Sequence, residues 1–271
     1  RIQKALDCYN RSIPIKNTLA QKYLRDTRGI QGEIPQDFRF CARIKHKDTQ
    51  QWTPALVVPV RNAQDEIQGI TRIFLDSDGK KLKTTYIDAF GNEKKAADKL
   101  SLGILNQTEA IINRGQNLDT VYIVEGVETA LSVRDALPEY KMIATLSASR
   151  LYDVPLSPET KRVVICADED GPNAGSNKSV VDAVNTYLAK GLQVEVAYPR
   201  ALIGLDKTDF NDLARAMGVQ AVKADLEKTI RIQTSKPLSV SALLDLKHDL
   251  QKTKSTLSQP HYQSQAKELE R

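Results

Sequence analysis

The sequence has 271 residues, 41% of them apolar and 27% charged, enough for one large core or two modest ones and too apolar for a chain disordered throughout. No apolar run approaches the roughly 20 residues that cross a bilayer, and no N-terminal signal pattern is present, so no membrane partner and a cytoplasmic location are expected. The three cysteines, Cys8, Cys41 and Cys166, lie far apart without a CxxC pair, and only three histidines accompany them, which argues against a zinc site or a disulfide framework.

Residues 1–27 have helical spacing, with Ala5, Leu6, Tyr9, Leu19, Ala20, Tyr23 and Leu24 recurring at helix intervals until Gly29, Gly32 and Pro35 end the pattern. Because it starts at Arg1 and enters a helix directly, the sequence is expected to be a piece of a longer protein. Residues 38–90 read as strands and turns. Ala55–Val60 is strand-like, Asn62–Glu66 a turn, and Ile67–Leu75 a second strand. Asp78-Gly79 is a hairpin signal that leads to a third strand through Tyr86-Ile87. Residues 91–117 read as linker or irregular chain.

The rhythm then changes. Short apolar runs at Val121–Val124, Met142–Leu146, Arg162–Ala167 and Leu192–Ala197 predict strands. Val127–Leu137, Ser179–Ala189 and Phe210–Met217 predict helices between or after them. Strands alternating with helices imply a parallel sheet in an α/β layer fold. From about Ser235 the chain is rich in Ser, Lys and Gln. The expected division is 1–117, 118–232 and a polar linker or docking tail over 233–271. Charge divides along similar lines. Residues 1–115 hold 20 Lys and Arg against 13 Asp and Glu, whereas residues 116–232 hold 13 against 17. A basic half beside an acidic one suits a polyanion platform next to a metal site.

Two predicted strands end in acids: Tyr122-Ile123-Val124-Glu125-Gly126 and Val164-Ile165-Cys166-Ala167-Asp168-Glu169-Asp170-Gly171. Parallel strands joined by right-handed crossovers share one carboxyl edge, where open α/β sheets bind ligands, so Glu125 and Asp168 are expected to be neighbours. In extended backbone Asp168 and Asp170 point the same way and Glu169 points away, toward solvent. Converging carboxylates repel, and a hard divalent cation removes that problem. With no soft ligand in competition, Mg²⁺ or Mn²⁺ is the expected cofactor. Asp209 is placed to cap the helix that begins at Phe210.

The segments YIVEGVETALS and VVICADEDGPNAG resemble the TOPRIM domain of bacterial-type primases, topoisomerases of types IA and II and some nucleases. The resemblance covers about residues 119–217. It implies that Glu125, Asp168 and Asp170 are catalytic and hold metal, Glu125 also serving in general acid/base work. Lys207-Thr208-Asp209-Phe210-Asn211-Asp212-Leu213 resembles a stretch of plasmid and phage primase relatives, which implies that Asp209 and Asp212 extend the acidic site and places Asp209 among the metal candidates.

In the front half, Tyr23-Leu24-Arg25-Asp26-Thr27-Arg28-Gly29-Ile30, then Val57–Asn62 with Gly69-Ile70-Thr71-Arg72, resemble bacterial-type primases in their order before a TOPRIM core. Arg28, Arg72 and Lys83 are therefore the nucleic-acid-binding candidates. The expected fold is α/β, a TOPRIM parallel sheet layered by helices and preceded by a basic α+β primase-like subdomain. The implied function is primer synthesis on a single-stranded DNA template from nucleotides, in a plasmid, phage or conjugative element, with flanking domains of a larger parent such as a relaxase. A metal-dependent nuclease, or a weakly catalytic single-stranded-DNA-binding module, are the alternatives. The departures from cellular primases are the absence of a zinc-binding module and of a GxxxxGK helicase signature.

Overall fold

A computed structural model describes residues 1–172, 174–234 and 236–255. It divides into two compact units, Arg1–Ala110 and a second that starts at Ile111. In the first, α1 (Ile2–Arg11) buries Ala5, Cys8 and Tyr9. The helix expected over 1–27 is interrupted by β1 (Ile13–Pro14), because Pro14 has no backbone N–H to donate. The chain turns helical again at α2 (Leu19–Lys22), which Thr18 caps, and continues as a wider turn through Thr27.

Strands β2 (Arg39–Lys45), β3 (Trp52–Arg61) and β4 (Ile67–Phe74) follow. A small separate hairpin is formed by β5 (Thr85–Ile87) and β6 (Glu93–Lys95). Then comes β7 (Lys99–Gly103), and the main antiparallel sheet has the order β1-β2-β3-β4-β7. The Asp78-Gly79 turn is present, Gly79 donating to the Asp76 carbonyl, but Tyr86-Ile87 does not return to this sheet. The strand that pairs with β4 is β7, inside the segment expected to be linker. Gly69 and Gly103 are register partners there, and a Cβ on Gly103 would sit 2.4 Å from the Gly69 Cα, so the two strands close only because both residues lack a side chain. Ala5, Cys8 and Tyr9 pack with Ala55, Val57, Ile70 and Phe74 in this unit's core.

The second unit is a six-stranded sheet built from β8 (Ala110–Asn113), β9 (Asn117–Val124), β10 (Tyr140–Ala144), β11 (Arg162–Cys166), β12 (Gln193–Ala197) and β13 (Ile230–Arg231). Its order is β13-β12-β11-β9-β10-β8. The four central strands are parallel, as the alternating pattern predicts. Between them run α3 (Val127–Ala136) and α4 (Gly175–Ala189). Helices α5 (Phe210–Met217) and α6 (Val219–Leu226) come after β12. Val121, Ile123, Val163 and Ile165 share a core with Val180, Val184 and Tyr187 of α4. Their neighbours Tyr122, Val124, Val164 and Cys166 are also buried, and strands covered on both faces read as continuous apolar runs.

The stretch from residue 233 was expected to be a polar linker or docking tail. Within it α7 (Val240–Ser255) packs on the second unit, with Leu243 and Leu250 on the same core as α4. Lys254 is fully buried and donates to the carbonyls of Tyr198 and Asp225, and burial pushes its ammonium down to about 8. The part of that expectation covering 256–271 lies outside the described residues.

The chain leaving β12 is held by a buried ion pair. Asp225 accepts from the Arg200 backbone N–H and from its Nε and Nη2, the shortest contact being 2.6 Å. Asp225→Ala leaves a buried guanidinium unpaired. It is expected to destabilise the second unit by about 3–5 kcal/mol, measured by chemical denaturation; a change within experimental error would show that the pair holds nothing.

Candidate metal centre

The register of β9 against β11 sets the site. Val124 pairs with Cys166, so Glu125 leaves one strand beside Ala167 and Asp168 leaves the other one residue later. The order of strands reverses here: β10 lies on one side of β9 and β11 on the other, which opens a crevice at the carboxyl ends. Asp168, Glu125, Asp170, Asp209 and Asp212 are electrostatic neighbours around this edge. Burial, and then the repulsion of Asp209, Glu125, Asp170 and Asp212, pushes the Asp168 carboxyl up to about 8. Asp168 Oδ1 is buried without a hydrogen-bond partner.

Each of the other acids has a different support. Asp170 accepts from Ser176 Oγ at 2.8 Å and pairs with the exposed Lys207 at 3.4 Å. Asp209 caps α5 in a reciprocal box with Asp212, accepting from the Asp212 N–H at 2.7 Å, and its second oxygen accepts from Thr129 Oγ1 at 3.1 Å. It therefore both caps the helix and adds charge at Asp168. Among the described residues, the Glu125 carboxylate accepts no hydrogen bond and makes no ion pair.

Among the described residues no three His, Cys, Asp or Glu side chains close into a ready ligand set. Ser176, Lys207 and Thr129 hold two of the acids to protein donors, as like-charged groups without a cation require. The donor set still fits a hard divalent ion. Every candidate donor is a carboxylate oxygen, and the buried, unpartnered Oδ1 of Asp168 is the group that such an ion would satisfy.

The loop carrying these acids is pinned by residues that the sequence did not single out. Asn177, buried at the start of α4, donates to the Gly171 and Pro172 carbonyls. Glu169 and Thr208 exchange both backbone hydrogen bonds. The Glu169 side chain does point away from its neighbours, but not into solvent: it meets Lys247 and Gln251 of α7. Thr129, in the first turn of α3, is the partner of Asp209.

The basic candidates lie in the first unit. Arg72 is half-buried. It donates to the Leu100 and Ser101 carbonyls of β7, and burial lowers its pKa. Arg28 donates to the Tyr23 hydroxyl and lies over that ring. Lys83 is exposed.

Residues 120–220 match the family model of the Toprim domain, and residues 1–107 match a domain of unknown function, DUF7146. No curated protein sequence matches this chain. Its fold is shared by solved structures, three of which follow. A DnaG primase catalytic domain bound to single-stranded DNA is 14% identical, over 94% of this chain and 87% of that one, with a TM-score of 0.56. A DNA primase domain from Pseudomonas aeruginosa is 15% identical, over 85% and 79%, with a TM-score of 0.54. The zinc-binding and RNA polymerase domains of the Aquifex aeolicus primase are 15% identical, with a TM-score of 0.52; the match covers 85% of this chain but only 60% of that one. Residues 120–220 thus match the Toprim domain, and the α/β fold of the chain is that of the primase catalytic cores.

The raised Asp168 carboxyl makes a prediction for the metal-free protein. A carboxyl near 8 when folded and about 3.9 when unfolded resists ionising in the fold, so its cost is absent below about pH 4, grows from there to pH 8, and is constant above. Asp168→Asn is expected to raise the melting temperature of the second unit by at least about 3 °C at pH 8 and not at pH 4. Thermal scans in chelator at the two pH values check this; equal shifts at both would disprove the charge origin.

Proposed function

We propose that this chain is a divalent-metal-dependent, primase-like nucleotidyltransferase that builds primers on single-stranded DNA. The observation that carries the reading is the convergence of Glu125 and Asp168 at register-matched strand ends, with one carboxylate oxygen buried and unpartnered. In this reading Asp168 and Asp170 hold Mg²⁺ or Mn²⁺, with Glu125 and Asp209 completing the acidic set. The bound ion supplies charge stabilisation for phosphoryl transfer. Glu125, which has no protein donor among the described residues, accepts the proton of the attacking 3′-hydroxyl as the new phosphodiester forms and pyrophosphate departs. The basic first unit holds template and nucleotides, with Lys83 as the exposed contact and Arg28 and Arg72 as neighbours already engaged by their own unit. A cytoplasmic plasmid, phage or conjugative setting, and a larger parent supplying further domains, complete the proposal.

The test offers labelled ribonucleotides and a single-stranded template with Mg²⁺ or Mn²⁺, with and without a supplied primer. Extension of the primer is expected, with weak initiation by this chain alone, because pre-positioning two free nucleotides can represent roughly 7–11 kcal/mol of a barrier. Asp168→Asn or Asp170→Asn should abolish extension, and Glu125→Gln should slow it by about 10²–10⁴-fold. Shortening of the template instead of extension would make the chain a nuclease. Binding with neither would make it a binding module. Wild-type extension by Asp168→Asn would refute the site.

Template binding gives a second check. Affinity for single-stranded DNA should fall log-linearly with salt, and Lys83→Ala should lower the slope by about 0.7 unit per lost phosphate contact. Arg72→Ala should instead lower the stability of the first unit, since its guanidinium serves the β7 carbonyls. An unchanged slope in Lys83→Ala would place that lysine off the DNA path.

A further inference from the structure

Glu169 lies between the two aspartates proposed to face metal, and its surroundings are built rather than solvated. Its side chain is 13% exposed and that of Lys247 is 7% exposed, with Nζ 2.6 Å from Glu169 Oε1. The same ammonium lies 4.8 Å from the centre of the Tyr198 ring. One turn on, Gln251 Nε2 donates to Glu169 Oε2 at 2.9 Å and to the Pro199 carbonyl at 2.8 Å. Residues 247 and 251 are four apart, so they share one face of α7. Glu169 also accepts from the Gly171 N–H at 3.2 Å. Its backbone is fixed from the other direction by Thr208, through bonds of 2.8 and 3.0 Å.

In extended backbone, the direction of one side chain dictates that of its two neighbours. Fixing Glu169 on α7 therefore fixes Asp168 and Asp170 on the opposite side. The two aspartates repel each other when no cation is bound, and the loop has a residue of positive φ, Gly171, immediately after them. Without an anchor the loop has an easy way to relax, by turning one aspartate outward.

We infer that α7 is a brace for the acidic loop, and that Lys247 and Gln251 are positioning residues for divalent-metal binding. This rests on the proposed reading of Asp168 and Asp170 as metal ligands. The brace lies outside the segment that matches the Toprim domain, which ends at residue 220, and it carries its effect through Glu169, which holds no metal itself.

The experiment measures Mn²⁺ affinity of the full chain, by the spectroscopic signal of free Mn²⁺, together with hydrogen exchange of the amides at 168–171. Lys247→Met, which keeps an apolar stem over Tyr198, is expected to weaken Mn²⁺ binding by about 10–100-fold, the usual effect of removing a group that orients a ligand. It should speed exchange in the loop and leave β9 and α4 protected. Gln251→Leu should act in the same direction, and raising Mn²⁺ should restore primer extension in both. Mn²⁺ binding within about twofold of wild type in both variants would overturn the proposal.

If Lys247→Met does not fold, the pair Glu169→Gln with Lys247→Met removes both charges together. It should bind Mn²⁺ about 10–100-fold more weakly, and wild-type affinity in it would equally overturn the brace. A wild-type chain that binds no Mn²⁺ would sink the metal reading instead. The brace is then judged on exchange alone, where unchanged protection of 168–171 in Gln251→Leu and in the charge-free pair overturns it.

Discussion

Like charge gathered at the carboxyl ends of two parallel strands is the constraint around which the second unit is organised. The pairing of Val124 with Cys166 follows from two apolar strands aligned in one sheet, and it brings Glu125 to Asp168 whether or not a cation is present. Two of the other acids at that edge have protein groups that answer the repulsion. Ser176 and Lys207 hold Asp170, and Thr129 and the α5 cap hold Asp209. Among the described acids of this edge, Asp168 keeps an oxygen that is buried and unanswered. A protein that needed this edge merely for stability would gain by neutral residues there, since an uncompensated buried carboxylate costs free energy at neutral pH. The arrangement suits the proposed cation site.

The acids were legible in the sequence because the signal is local: an apolar run long enough for one strand, closed by a carboxylate, twice over. The central parallel strands were legible for the same reason, being covered on both faces. What was not legible depended on partners remote in sequence. Strand β7 offers only Leu100 and Leu102 as an alternating signal within a stretch of Lys, Asp and Asn, and its pairing with β4 turns on two glycines 34 positions apart, Gly69 and Gly103. The composition of helix α7 hid where it docks. It is attached as much by Lys247, Gln251 and Lys254 as by Leu243 and Leu250, and long polar side chains in a Ser- and Lys-rich stretch read as solvated. Glu169 shows the limit of periodicity: alternation gives its direction correctly, but cannot say that a helix some 80 residues later waits there.

Charge counts have a similar limit in the first unit. Its excess of Lys and Arg suits a polyanion surface, yet the structure puts two of the three named candidates to internal use. Arg72 satisfies carbonyls at the sheet edge, and Arg28 stacks on and donates to Tyr23. A guanidinium that holds its own fold is a poorer partner for phosphate, because binding would have to replace bonds already made. Exposure therefore ranks the candidates differently from sequence order, and favours lysines such as Lys83.

The polar attachment of α7 also bears on why such a helix keeps charged groups in its buried face. Apolar contact is non-directional, and a helix held only by Leu243 and Leu250 has neighbouring registers of similar energy. Lys247, Gln251 and Lys254 lie along one stripe at spacings of four and three, and each has partners at fixed points: Glu169, the Pro199 carbonyl, and the carbonyls of Tyr198 and Asp225. A shift of one turn would break all three at once and leave buried charges unpaired, a cost of several kcal/mol. The same groups that add little net stability therefore select one register. That register is the one that brings Lys247 to Glu169, so specificity in the packing of a remote helix becomes orientation at the acidic edge.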